Sequence, residues 1–187
     1  MKILLWPEFA EGGLLKDASS GSSITIGVFD GVHLGHQALI QRIVAAEKDG
    51  FLPLVITFRH ATRAGVQEII SIDEKIAIFE KMGIKATVLI DFSEDFSRMT
   101  GKEFFDKVVE GGRPGLFVIG DDFACGYKAG TKAADFRELA RSSSIPCEIV
   151  PMVKDENGQR VSSTRIRDAL ANGNRELAAQ LLGRKEI

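Results

Sequence analysis

Apolar positions along this chain alternate between two spacings. Short, mostly apolar runs at Ile24 to Phe29, Leu52 to Phe58, Ala86 to Ile90, Leu116 to Ile119 and Glu148 to Val153 predict buried strands. Between them apolar residues return every three or four positions. Leu39, Ile40, Ile43 and Val44 do so within Leu34 to Lys48, with Gln41, Arg42 and Glu47 on the wet side, which predicts an amphipathic helix. Two capping boxes, Ser71-Ile72-Asp73-Glu74 and Thr100-Gly101-Lys102-Glu103, open helices that run to about Met82 and through Val109. Gly83 and Gly111-Gly112 are the expected stops. A loop from Gly120 to Gly130, a helix at Ala133 to Arg141, a polar turn at Asp155 to Gly158 and helices at Thr164 to Ala171 and Arg175 to Leu182 complete the pattern. The residues before Ser23 read as a Gly- and Ser-containing lead-in. Strands alternating with helices of this length predict an α/β domain of Rossmann-like form, an open, largely parallel sheet with helices on both faces.

At 187 residues with no internal repeat or interdomain linker, the chain is expected to form one domain over 1–187. The balance of 44% hydrophobic and 27% charged residues is that of an ordinary soluble protein, which excludes a disordered or membrane-embedded class. A net charge of −2 supplies no field that would gather nucleic acid. The apolar opening Met1 to Trp6 is too short for a signal peptide or a membrane span, and Pro7 and Glu8 interrupt it. Cys125 and Cys147 form no CxxC pair or disulfide framework, so free thiols and a cytoplasmic location are expected. Nothing in the pattern specifies an oligomeric state.

Chemistry concentrates at two strand-to-helix or loop-to-helix junctions. The first, Gly27-Val28-Phe29-Asp30-Gly31-Val32-His33-Leu34-Gly35-His36, carries two of the three histidines at a helix start. Unpaired amides and the positive end of the helix dipole favour an anion there, and Gly31 and Gly35 let it approach the backbone. His33 and His36 can donate to phosphate oxygens, and an anion would raise their pKa values. Two other uses of the pair stay open: zinc ligation, for which His60 is the only further histidine, and a purely structural role. The second junction is Val161-Ser162-Ser163-Thr164-Arg165-Ile166-Arg167. Its hydroxyls are ordinary N-caps, but cations in a first helical turn oppose the dipole, so Arg165 and Arg167 point to a nearby anion. No P-loop, GxGxxG, GxSxG or HExxH pattern is present.

Together these segments resemble the FMN adenylyltransferase (FAD synthetase) module of bacterial bifunctional riboflavin kinase/FAD synthetases, within the HxGH nucleotidyltransferase superfamily. Gly27 to Gln37 resembles the family's first motif, Ser162 to Arg167 its ISSTxxR motif, Gly120-Asp121-Asp122-Phe123 with Gly126 its GxDFxFG loop, and Leu181 to Arg184 the stretch that ends the module. The resemblance implies transfer of AMP from ATP to FMN with release of pyrophosphate, and no riboflavin kinase domain in this chain. It implies His33, His36 and Arg167 as catalytic residues. It further implies an ATP site of Gly27, Phe29, Asp30, Gly31, His33, His36, Ser163, Thr164 and Arg167, with Mg²⁺ accompanying ATP and no protein residue assigned as its direct ligand. Asp122, Phe123 and His60 fall at the flavin end. This chain departs from the family at Phe58-Arg59-His60-Ala61-Thr62, which lacks both prolines of the usual FxPHP, and at Cys125, which replaces an aromatic. Two further readings accordingly remain: transfer to another phosphorylated acceptor, such as phosphopantetheine or nicotinamide mononucleotide, and a nucleotide- or flavin-binding module without turnover.

Overall fold

The protein is described by a computed structural model covering residues 1–12, 21–60 and 67–185. The chain forms β1 (Lys2–Leu5), α1 (Trp6–Ala10), β2 (Ser22–Ile26), α2 (Leu34–Ala45) with a 3₁₀ turn at Ala46–Asp49, and β3 (Leu52–Phe58). It continues through α3 (Ile72–Lys81), β4 (Ala86–Ile90), α4 (Glu94–Arg98), α5 (Gly101–Gly112) and β5 (Pro114–Gly120). Then come β6 (Ala124–Cys125), a 3₁₀ turn at Tyr127–Ala129, β7 (Thr131–Lys132), α6 (Ala133–Ser142), β8 (Cys147–Val150), α7 (Ser163–Ala171) and α8 (Arg175–Leu182).

Six strands form one sheet in the order β1-β4-β3-β2-β5-β8, and every pairing is parallel. All residues of β2 and β4 are buried, as expected of parallel strands covered on both faces. Strand alternation divides the core. Ile24, Leu54, Ile56, Phe117 and Ile119 face Phe9, Phe104, Phe105 and Phe136 of α1, α5 and α6, while Val55 and Val118 face Leu39, Ile40, Ile43 and Phe79 of α2 and α3. A third cluster joins α7 and α8 through Ile166, Ala178, Leu181 and Leu182.

Both predicted capping boxes form, at Ser71 with Glu74 and at Thr100 with Glu103. Four local expectations fail. The stretch read as a lead-in contains β1, whose partner β4 lies 84 positions downstream at Ala86, opposite Lys2. α5 runs through Gly111 and Gly112 instead of stopping before them. A Cβ at Gly111 would lie 2.2 Å from the Phe9 carbonyl oxygen, so these glycines admit α1 rather than end the helix. The Gly120 to Gly130 loop holds the first strand of the β6–β7 hairpin, and the short α4 is capped by Ser93. β8 ends at Val150, before Pro151, which cannot donate to a ladder.

Candidate active site

Strand order reverses at β2: the chain leaves it for β3 on one side and later fills β5 on the other. Carboxyl ends of strands open a crevice at such a point, where open α/β sheets bind ligands. The Gly27 to His36 junction occupies it. Phe29, Gly31 and Val32 have φ of 52°, 78° and 42°, a left-handed path that costs a non-glycine residue about 1–3 kcal/mol. Complete burial of the Phe29 and Val32 side chains holds that path in place.

His33 is the N-cap of α2, and its Nδ1 accepts the His36 amide at 3.3 Å. Nδ1 therefore keeps its lone pair, and Nε2 carries the proton of the neutral ring. The two imidazoles stack with centroids 3.6 Å apart and planes 16° from parallel. A Cβ at Gly35 would sit 3.1 Å from His33 Cε1 and would press on the stacked ring. Burial pushes His33 down to about 4 despite the opposing charge of Asp122. Burial also holds His36 well below its ordinary value, and the neighbouring His33 ring and the Lys75 ammonium act in the same direction. Both rings are neutral at pH 7. His36 Nδ1 is sealed from solvent without a hydrogen-bond partner, so its Nε2 is the ring nitrogen left to meet a ligand.

Across the crevice, Ser162 caps α7 by accepting the Arg165 amide at 3.3 Å. The Ser163 hydroxyl donates to the Asp30 carbonyl at 2.9 Å. Thr164 is exposed on the cavity wall. The two first-turn arginines have intramolecular partners, which corrects the inference of an anion from their position. Arg165 pairs with Asp155 at 2.5 Å. Arg167 pairs with the carboxylate of Asp30, which is only 4% exposed, and donates from Nε to the Gln67 carbonyl at 2.9 Å.

A cavity of about 720 Å³ runs from this junction to an aromatic end. Gly27, Phe29, His33, His36, Ser163 and Thr164 all line it, as do Asp122 and Phe123. Phe58, Phe92, Phe96, Met99 and Phe104 form its apolar part, with Cys125 beside them. Burial pushes the Cys125 thiol up to about 12 and Cys147 to about 11, so both are protonated at neutral pH. Four expected site residues lie off this wall. Asp30 turns into the protein to accept the Ile69 amide at 2.9 Å and to hold Arg167. The Cβ direction of Gly31 meets Ile69 and Leu182, so its small size serves packing rather than an incoming anion. Arg167 is drawn away by Asp30. The His60 side chain is 76% exposed and 3.9 Å from Glu68. Ala61 and Thr62 fall outside the described residues.

Two site residues escaped the sequence reading. Arg160 lines the cavity and pairs with Asp122. Lys75 is buried beneath the junction, where its Nζ donates to the carbonyls of Val28 at 3.0 Å and Phe58 at 3.3 Å. A charged residue one turn before Phe79 on the inward face of α3 was the available signal. Among the described residues no group of three or more His, Cys, Asp or Glu is arranged to hold a metal. No helix among them is long and apolar enough to cross a membrane.

A family model described as FAD synthetase matches residues 15–165. The bifunctional riboflavin kinase/FMN adenylyltransferase of Bacillus subtilis is 32% identical over 179 residues, 91% of this chain and 56% of that protein. The chain thus spans little more than half the length of that relative, and the same holds for the Escherichia coli protein of that name, at 31% identity. A crystal structure described as a macrolide-efflux protein from Streptococcus pneumoniae superposes with a TM-score of 0.83 at 29% identity, over 98% of this chain and 62% of that one. A pantoate-beta-alanine ligase from Francisella tularensis superposes at 0.61 with 10% identity, over 92% of this chain and 77% of that one, a likeness of fold alone.

Proposed function

Because this chain belongs to the FAD synthetase family, we propose that it is an FMN adenylyltransferase, joining AMP from ATP to FMN and releasing pyrophosphate. The observation that carries this reading is one cavity that joins the stacked His33–His36 pair and two helix N-termini to an aromatic chamber. An FMN phosphate oxygen attacks the α-phosphorus of ATP in line. The bond from that phosphorus to the oxygen bridging toward the β-phosphate breaks, and pyrophosphate carries the negative charge away. No protein nucleophile takes part, so the work is positioning and charge stabilisation.

His33 and His36 donate from Nε2 to the α-phosphate oxygens, and the first amides of α2 and α7, which have no intrahelical acceptor, face the same charge. Thr164 with its hydroxyl and Ser163 with its first-turn backbone amide receive the leaving phosphates from the opposite side, and Arg160 adds a cation at the wall. Gly27 and Phe29 frame the nucleotide. Asp30 and Arg167 act at one remove by locking α7 to the junction. Mg²⁺ would accompany the triphosphate, keeping several waters and needing few protein carboxylates, and would neutralise phosphate charge when bound. Phe58, Phe92 and Phe96 offer ring faces and edges to an isoalloxazine, with Asp122 and Phe123 at its border.

The test is incubation of the purified protein with ATP, Mg²⁺ and FMN, followed by chromatography for FAD and pyrophosphate. Both products should appear, and His36→Ala should lower turnover by two or more orders of magnitude, comparable to loss of a preorganised donor. Pyrophosphate formed only with another phosphorylated acceptor would replace FMN in this reading. ATP binding without any turnover would replace it with a binding module.

A further inference from the structure

Lys75 has no place in the chemistry above, yet it is among the few charged side chains in the protein interior, 5% exposed on α3. Burying an ammonium is costly unless its hydrogens are used, and a methionine would fill the same space at lower cost. Its two acceptors identify its use. The Val28 and Phe58 carbonyls follow the ends of β2 and close β3, and both residues line the cavity. Val28 also accepts the Thr57 hydroxyl at 3.0 Å. This doubly held carbonyl belongs to the peptide that enters Phe29, the first left-handed residue of the junction. The Phe29 ring in turn stands edge-on to His36 at 5.1 Å and to Phe79 at 5.8 Å. Lys75 and Phe79, one turn apart on α3, therefore grip the same unit by its carbonyl and by its ring.

Resting on the adenylyltransferase reading, we propose that Lys75 is a positioning residue that fixes the strained Val28–Phe29 peptide and, through Phe29, the His36 imidazole at the reacting phosphate. Burial holds the Lys75 ammonium below its ordinary value, and the carboxylates of Asp30 and Glu68 oppose that effect. The charged and titratable groups around the paired histidines are Lys75 itself, Asp30, Asp122 and Arg160. Burial is the first cause that keeps His36 unprotonated, and the Lys75 ammonium acts in the same direction, so without it the variant ring takes up a proton at higher pH than the parent ring.

The experiment compares the parent with Lys75→Gln, which keeps an amide donor without charge, and Lys75→Met, which keeps neither. Turnover should fall at least tenfold in Lys75→Met while the KM for ATP changes less than threefold, and Lys75→Gln should fall between. The chain has three histidines, so ¹⁵N-histidine spectra resolve each ring. His36 should shift and titrate at higher pH in both variants. A Lys75→Gln protein with parent-like turnover, pH profile and His36 spectrum makes Lys75 a packing residue and overturns the proposal. If Lys75→Met does not fold, Lys75→Gln decides. If the parent makes no FAD, the adenylyltransferase reading fails separately, and the His36 spectra with ATP affinity still decide the role of Lys75.

Discussion

A histidine that folds into a site with a pKa of about 4 binds its proton near 6.5 once unfolded, and His33 is in that position. Between those values the unfolded chain holds more protons than the folded one, so acidification favours unfolding. The contribution of His33 is complete above about pH 6.5 and drains as pH falls toward 4, and that of His36, likewise held below its ordinary value by burial, is lost in the same direction. Hydrogen bonds from Ser71, Thr100 and Arg165 hold the carboxyls of Glu74, Glu103 and Asp155 below their ordinary values, so their contribution is lost only as pH falls through the carboxylate range, and the interval from pH 6.5 to 5 reports chiefly on the imidazoles. Urea midpoints should drop across that interval, and His33→Asn, which can still cap α2, should flatten the slope. Midpoints that stay level would mean that the rings are not held neutral. The identity of this pair was legible because HxGH is local. Its protonation state was not, since it depends on burial by Phe29 and on Asp122, a residue 89 positions beyond His33.

At the scale of elements, α7 reaches the β2–α2 junction through two bonds to one residue: Ser163 to the Asp30 carbonyl and Arg167 to the Asp30 carboxylate. Breaking a buried pair leaves one charge unpartnered, so Asp30→Asn and Arg167→Gln should each destabilise by about 2–4 kcal/mol in urea unfolding. The double variant should recover about 1–3 kcal/mol of the summed loss, the coupling expected of contacting charges. Strict additivity would show that the pair does not clamp the two elements. Helix starts at Ser71 and Thr100 were readable because a capping box spans three residues. The glycines of α5 misled for the opposite reason, since their purpose lies in the approach of Phe9, which is remote in sequence.

For the molecule as a whole, the cavity predicts a ligand response. A nucleotide bound at about 100 times its Kd stabilises the folded state by about 2.7 kcal/mol, which for a chain of this size raises Tm by roughly 5–10 °C. ATP with Mg²⁺ should produce such a shift, and FMN a further one. A flat melting profile with ATP at millimolar concentration would argue against a nucleotide in this crevice. By itself the sequence determined the alternation of strand and helix, the capping of the helices, and the two junctions that carry imidazoles and hydroxyls, because each is written in spacings of two to four residues. Tertiary structure alone decided that β1 pairs with β4, that Arg167 answers Asp30 while Arg160 reaches the cavity, that His60 stands apart, and that Lys75 lies beneath the site. These outcomes depend on which distant groups meet once the sheet closes. Burial then sets the cost of every unpaired charge, and no local pattern records that cost.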